Sequence, residues 1–367
     1  MRWKAQGGVV VTIVDVARVA GVGTTTVTKV LGGRRHVSAA TRQRVLDAIA
    51  LLDYHPSQVG RSLRTGVTHV IGVITAPPST HPLTYAFFPS LLEGIGECAA
   101  EHGYDILWIT TDSLRDERRP YEALFKSRRI DGLIDSWPWL GQSRVGRVPA
   151  PGHPVVLVGH PDDTSIPHVD CANRDGGWQA GRAFVAHGYA SIAYVGFREA
   201  PASHDRLAGL RRALAEDGRA IRPAHLARLE RGQAQVGHEH LGYTTMHHWI
   251  KSGDIPRAVL AYTDRIAYGI IRACREHGLD VPRDVAVIGF DDEPSSQHVQ
   301  PPLASVAQPT RELGYAAADM LIGLLAGRPA DPPARVLPMR LIERESLGVG
   351  PHDASGPLLG GEEKTRR

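Results

Sequence analysis

The chain has 367 residues, length enough for two or three folding units, with 42% hydrophobic and 22% charged residues. Its formal charge of +3 hides an asymmetry: residues 1–66 hold ten Lys or Arg against three Asp or Glu, a net +7, so residues 67–367 carry −4. A local excess of that size attracts a polyanion by counterion release, and nucleic acid is the polyanion that fits. No apolar run is long enough to span a membrane, and the start M-R-W-K-A-Q-G-G lacks a secretory signal, which predicts a cytoplasmic protein. The isolated Cys98, Cys171 and Cys274 exclude a disulfide framework or zinc knuckle.

Residues 1–10 are predicted to be a flexible start. Thr12 and Asp15 form an S/T-x-x-D/E signal in which the Thr12 oxygen accepts from a helix amide and Asp15 faces the positive end of the dipole. A first helix therefore begins at Thr12 or Ile13, buries Ile13, Val16, Ala17 and Ala20, and stops at Gly21. After the turn Gly21-Val22-Gly23, a second helix starts near Thr24. Val27, Val30 and Leu31 face the first helix, which leaves Thr24, Thr25, Thr28 and Lys29 outside. Ser38 caps a third helix whose buried stripe is Val45, Ala48, Ile49 and Leu52, with Arg42 and Arg44 outside. Two short helices joined by a glycine turn, with hydroxyls and a lysine on the second, suit a helix-turn-helix that reads base edges in the major groove.

Beyond Thr68 apolar runs alternate with helical stretches. The runs lie at 70–75, 106–110, 155–158, 192–195, 259–261 and 285–290, a parallel-sheet rhythm that falls into two blocks, roughly 68–170 and 171–300. A last helix spans 311–326. Three helices close on similar words, E-H-G-Y at Glu101, A-H-G-Y at Ala186 and E-H-G-L at Glu276, each setting a histidine near the negative dipole end and a glycine after it. Two α/β lobes with a cleft between them account for the pattern. Ligands of open α/β sheets sit beyond the strand carboxyl ends, which nominates Phe87, Phe88, Trp137, Arg206, Thr263, Asp264 and Asp291. Aromatic plates, an arginine fork and acids suit a polyhydroxylated small molecule.

The stretches V-T-I-V-D-V-A-R-V-A-G-V from Val11, H-V-S-A-A-T-R-Q-R-V-L from His36, R-S-L-R-T-G from Arg61, V-I-G-F-D-D from Val287 and P-P-L-A-S-V from Pro301 resemble the LacI family of ligand-controlled transcription regulators. The resemblance covers about residues 11–348. It implies a three-helix DNA-binding head over 11–57, a hinge over 58–66, a two-lobed periplasmic-binding-protein-like body over 67–348, and a disordered tail over 349–367. The DNA-contacting set is then Thr12, Gly23, Thr24, Thr25, Thr26, Thr28, Lys29 and His36 in the head, with Arg61, Leu63 and Arg64 in the hinge. Leu63 would be the apolar wedge of the minor groove. Gly60 stands where the family hinge carries alanine, a change that costs a helix about 1 kcal/mol. The effector contacts implied are Phe87, Phe88, Arg206 and Asp291, with Asn173 beside them. The expected assembly is a homodimer on palindromic double-stranded DNA, answering a carbohydrate-like effector.

No catalytic residue, metal or cofactor is predicted. The chain has no G-x-x-x-x-G-K-[ST] phosphate loop and no G-x-S-x-G elbow. His238-Glu239-His240 and His247-His248 lack H-E-x-x-H spacing and read as solvated histidines. A transport receptor would share the lobes without needing the basic head, and a sugar-modifying enzyme would show turnover.

Overall fold

A computed structural model describes residues 11–32, 37–55, 66–75, 83, 85–110, 125–126, 128–136, 153–161, 163–230 and 237–348. The expectations for 1–10, for the hinge residues 58–65 and for the tail 349–367 lie outside the described residues. The chain divides into two compact units, residues 1–68 and 69–367.

The first unit holds helices α1 (Ile13–Ala20), α2 (Thr24–Leu31) and α3 (Ala39–Leu51). The Asp15 carboxylate accepts from the Thr12 amide at 3.0 Å and the Thr12 hydroxyl at 2.7 Å, and Gly21 ends α1 in the left-handed region at φ 65°. Ser38 caps α3 by accepting from the Thr41 amide. One small core joins the three helices, built on Val16, Ala17, Ala20, Val27, Val30, Val45 and Ala48. Leu31, the last residue of α2, departs from the expected stripe: it is 38% exposed.

Among the described residues the second unit contains two six-stranded sheets. In chain order its elements are β1 (Val70–Thr75), α4 (Phe87–Glu101), β2 (Asp105–Thr110), β3 (Gly132–Asp135), β4 (Val155–Val158), β5 (His168–Cys171), α5 (Asn173–Ala186), β6 (Ile192–Phe197), α6 (Pro201–Ala215), β7 (Leu226–Leu229), α7 (His238–Ser252), β8 (Ala258–Ala261), α8 (Asp264–Glu276), β9 (Ala286–Asp291), β10 (Ala304–Ala307), α9 (Thr310–Leu325), β11 (Ala334–Leu337) and β12 (Arg340–Ile342). The first sheet runs β11-β5-β4-β3-β1-β2 and the second β12-β10-β9-β8-β6-β7. Every pairing is parallel except β10 with β12. The chain therefore passes between sheets after β5, after β10 and again between β11 and β12. The two sequence blocks are the lobes, but α9 and β11 return to the first lobe.

The central strands are apolar throughout because both their faces are covered. Ala258 and Leu260 of β8 point into a core shared with α4, α5, α6 and α9, whereas Val259 and Ala261 point the other way, into a core built with α7 and α8. The helices pair as α4 with α9, α5 with α6 and α7 with α8. Each crossing uses one glycine per helix. Gly94 faces the Arg311 carbonyl and Gly314 that of Leu91, Gly177 faces Arg206 and Gly209 faces Arg174, and Gly242 faces Ile266 while Gly269 faces Glu239. In every case the carbonyl lies three residues before the partner glycine, so the three crossings share one geometry. The histidines of the three closing words behave alike as well: Nδ1 of His102, His187 and His277 lies 2.8–2.9 Å from the carbonyl four residues earlier, and Gly103, Gly188 and Gly278 follow at positive φ.

Candidate functional site

On the head, Gly23 is the N-cap of α2 and leaves Thr24 and Thr25 exposed at its first turn. Thr26 and Thr28 are half-buried, and the Thr28 hydroxyl donates to the Thr24 carbonyl at 3.0 Å, which turns its lone pairs outward as acceptors. Lys29 is exposed one turn along the same helix, and Thr12 is exposed at the start of α1. The packing of Val27 and Val30 against α1 and α3 fixes this arrangement, since burying those two residues leaves the threonines and the lysine no other side of the helix to occupy. His36, Arg61, Leu63 and Arg64 lie outside the described residues.

In the body, the carboxyl ends of β5, β8 and β9 converge on Arg206. This side chain is only 3% exposed, although it comes from the second turn of α6. Its Nε donates to Asn173 Oδ1 at 2.8 Å and its Nη1 to the Tyr262 carbonyl at 2.6 Å. The guanidinium carbon lies 4.1 Å from the centre of the Phe290 ring and 4.7 Å from that of Tyr262. Two aromatic faces and two fixed acceptors hold the fork in one orientation, which is what planar recognition of neighbouring oxygens requires. Asn173, first residue of α5, is itself held, its amide donating to Asp170 and to the Cys171 carbonyl at 3.2 Å each.

Asp291 closes β9 beside this cation. Its φ of 110° is outside the ordinary range for a residue with a side chain, a strain that costs of order 1–3 kcal/mol and that surrounding structure must impose. The Gln308 amide donates to its carboxylate. Burial pushes its pKa up to about 7 against the pull of Arg206. Asp170 is raised by burial too.

The remaining nominated residues divide. Phe88 is buried and Phe87 partly buried at the start of α4, their rings meeting edge to face at 5.3 Å, so they stand on a helix N-terminus rather than in a strand-end loop. Thr263 caps α8, accepting from the Ile266 amide. Asp264 is fully buried, with Oδ2 accepting from the Glu293 amide at 2.8 Å and Ser296 at 2.6 Å, and Oδ1 from Ser305 at 2.6 Å. These donors tie α8 to the segment after β9 and to β10. Burial and the neighbouring Asp291 hold its pKa well above the usual range. Trp137 lies outside the described residues.

Sequence reasoning missed His238. Read as solvated, it stands instead among Tyr85, Phe197 and Thr263, its Nδ1 3.2 Å from Thr263 Oγ1, and burial with Arg265 pushes its pKa down to about 4. A single side of α7 explains the error, because neighbouring Glu239 and His240 are exposed while His238 faces inward. Among the described residues no cluster of three or more His, Cys, Asp or Glu could hold a metal. No helix among them is long and apolar enough to cross a membrane.

An exposed reading helix on a basic head, joined in one chain to a bilobed α/β body, defines a DNA-binding protein with a sensor-type domain. Comparison with known proteins narrows this class. Residues 12–57 match the bacterial regulatory proteins of the lacI family, and residues 182–347 match the periplasmic binding protein-like domain. The HTH-type transcriptional regulator RegA of Clostridium saccharobutylicum is 32% identical over 337 residues, 91% of this chain and 98% of its own. Catabolite control protein A of Priestia megaterium is 30% identical over 339 residues, 92% and 99% of the two chains. The lac repressor dimer bound to operator and the anti-inducer ONPF matches at a TM-score of 0.80 with 28% identity, covering 92% of this chain and 99% of that one. A complex of the transcriptional regulator CelR with cellobiose matches at 0.66, also with 28% identity and coverage of 92% and 99%. The chain belongs to the lacI family, and it is a DNA-binding transcriptional regulator rather than an enzyme.

Proposed function

We propose that this regulator is a repressor whose affinity for a palindromic operator is set by a small molecule, a sugar or sugar derivative, bound between the two lobes of each subunit of a homodimer. The observation that carries the reading is the oriented Arg206 fork over Phe290, with the carboxyl of the next residue, Asp291, close enough to feel its charge, a donor and an acceptor at the end of β9. Vicinal hydroxyls satisfy both, accepting from the guanidinium and donating to the carboxylate. Phe87 offers apolar surface for the C–H face of such a ligand, with Phe88 packed edge to face behind it. Asn173, Thr263, Asp264 and Trp137 complete the proposed set, with Asp264 acting through the position it gives the segment after β9 rather than through a free oxygen.

Two lobes joined by three crossovers have a natural relative motion, and an effector that favours one arrangement shifts operator binding by its differential affinity, typically 1–3 kcal/mol. On the head, Thr12, Gly23, Thr24, Thr25, Thr26, Thr28, Lys29 and His36 contact the operator, and Arg61, Leu63 and Arg64 follow it into the minor groove. A thermal-shift panel of sugars, nucleosides and sugar phosphates on the full chain, followed by operator titration with each ligand that shifts the melting temperature, tests the reading. Neutral sugars are expected to register and to change operator affinity at least fivefold. Stabilisation by nucleosides alone would overturn the carbohydrate assignment.

A further inference from the structure

We infer that Tyr85 is an interlobe latch, a first-lobe side chain that engages Arg265 and His238 of the second lobe and so sets how readily the cleft opens. Tyr85 precedes α4, whereas His238 starts α7 and Arg265 lies in the first turn of α8. The Arg265 guanidinium carbon sits 4.3 Å from the centre of the Tyr85 ring, and the His238 ring meets Tyr85 edge-on with centroids 5.3 Å apart.

The second-lobe side of this contact is a fixed platform. Arg265 Nε is 3.1 Å from Glu293 Oε1, Glu293 is 5% exposed, and its own amide donates to buried Asp264. His238 is anchored on Thr263 and against Phe197. With the guanidinium and imidazole both tethered from behind, Tyr85 is the element that leaves when the lobes separate. The electrostatics suit a contact that persists at neutral pH. Burial with Arg265 keeps His238 neutral, burial keeps the Tyr85 phenol protonated, and Glu293 balances Arg265. A cation held over an aromatic face and partly removed from water is among the stronger single side-chain contacts available to a hinge. None of these three residues was nominated from the sequence, since each stands in a different segment and only the fold brings them together.

The inference deepens the reading of the cleft as an effector site, and its test separates the two. Spin labels placed through Glu93→Cys on α4 and Lys251→Cys on α7, both exposed positions in a chain whose described native cysteines are buried, report the interlobe distance by pulsed dipolar spectroscopy. In the full-length protein Tyr85→Ala is expected to raise the ratio of open to closed molecules about tenfold. Tyr85→Phe, which keeps the ring, should stay close to the parent. Tyr85→Leu preserves bulk without a π face and should open like the alanine variant, which keeps the question answerable if Tyr85→Ala fails to fold. Distance distributions unchanged by Tyr85→Ala, or a Tyr85→Leu protein indistinguishable from the parent, overturn the latch. A latch that opens as expected in a protein whose operator binding answers to no ligand would instead count against the effector reading alone.

Discussion

The backbone carbonyl of Arg206 occupies the space that a side chain on Gly177 would need. That approach lets α5 and α6 cross closely enough for Arg206 Nε to reach Asn173 Oδ1 at 2.8 Å, so a glycine with no ligand-binding role positions the proposed effector-reading cation. Gly177→Ala must push the helices apart, an overpacking cost of about 1–3 kcal/mol that exceeds the roughly 1 kcal/mol of helix propensity gained. Thermal unfolding should show a lower Tm together with a lost ligand response. Gly96→Ala on α4 is the control: a methyl there meets only Ile106 Cδ1 at 3.8 Å, so this variant should gain about 0.5–1 kcal/mol.

Local signals were legible where one residue type has one local use. Thr12 with Asp15, Gly21 and Ser38 mark the head helices to within a residue, and the histidine-glycine words mark three helix ends in the body. The candidate cleft was half legible: the strand-end rule named Arg206 and Asp291 and the family resemblance named Asn173, which Arg206 meets, while His238, Tyr85 and Arg265 have no local signature. β7, β11 and β12 went unread because they are short strands with partly exposed residues at sheet edges, and the interior strands β5 and β10 because polar His168, Asp170 and Ser305 interrupt their four-residue runs. The return of α9 and β11 to the first lobe was hidden for another reason, since strand order is decided by contacts between distant segments.

Three buried carboxyls in this body oppose the destabilisation that acid brings, whereas His238, kept neutral by burial and Arg265, adds to it. Burial raises the pKa of Asp291 to about 7 and raises Asp170 and Asp264 as well, so between pH 4 and 7 the folded state holds protons that the unfolded chain has released. Stability contributed by these groups is therefore present at low pH and declines as pH rises through that window. Asp291→Asn removes its share of the decline. Chemical denaturation should find this variant about 1–2 kcal/mol more stable than the parent at pH 8 and nearly equal to it at pH 5. Equal differences at both pH values would show that Asp291 is ionised throughout.

Arg206→Lys keeps the charge and loses the fork. A lysine ammonium cannot hold both the Asn173 oxygen and the Tyr262 carbonyl while stacking on Phe290, so at least one buried acceptor loses its partner at a cost of about 1–3 kcal/mol. Isothermal calorimetry with any ligand found in the thermal-shift panel should show at least a tenfold weaker affinity. Operator binding without ligand should stay within about threefold of the parent, because the head folds around its own core. Retained ligand affinity would remove Arg206 from the proposed site.

The head offers the sharpest separation between folding and recognition, since Val27 is fully buried and Lys29, two positions along the same helix, is exposed. Val27→Ala removes two methyl groups from a core of seven buried side chains and should destabilise the head by about 1.5–3 kcal/mol, visible as faster amide exchange across α1, α2 and α3. Lys29→Ala touches none of that core, so amide exchange should be unchanged. Its effect belongs to DNA: a contact with a base edge costs about 1–3 kcal/mol and relaxes specificity at one position, whereas a phosphate contact weakens all sequences alike and lowers the salt slope by about 1. Titrating the variant on operator and scrambled duplex at several salt concentrations distinguishes the two, and position on α2 beside Thr25 favours the base-edge outcome. A Lys29→Ala protein with parental affinity on both duplexes would take this face of α2 out of the reading head.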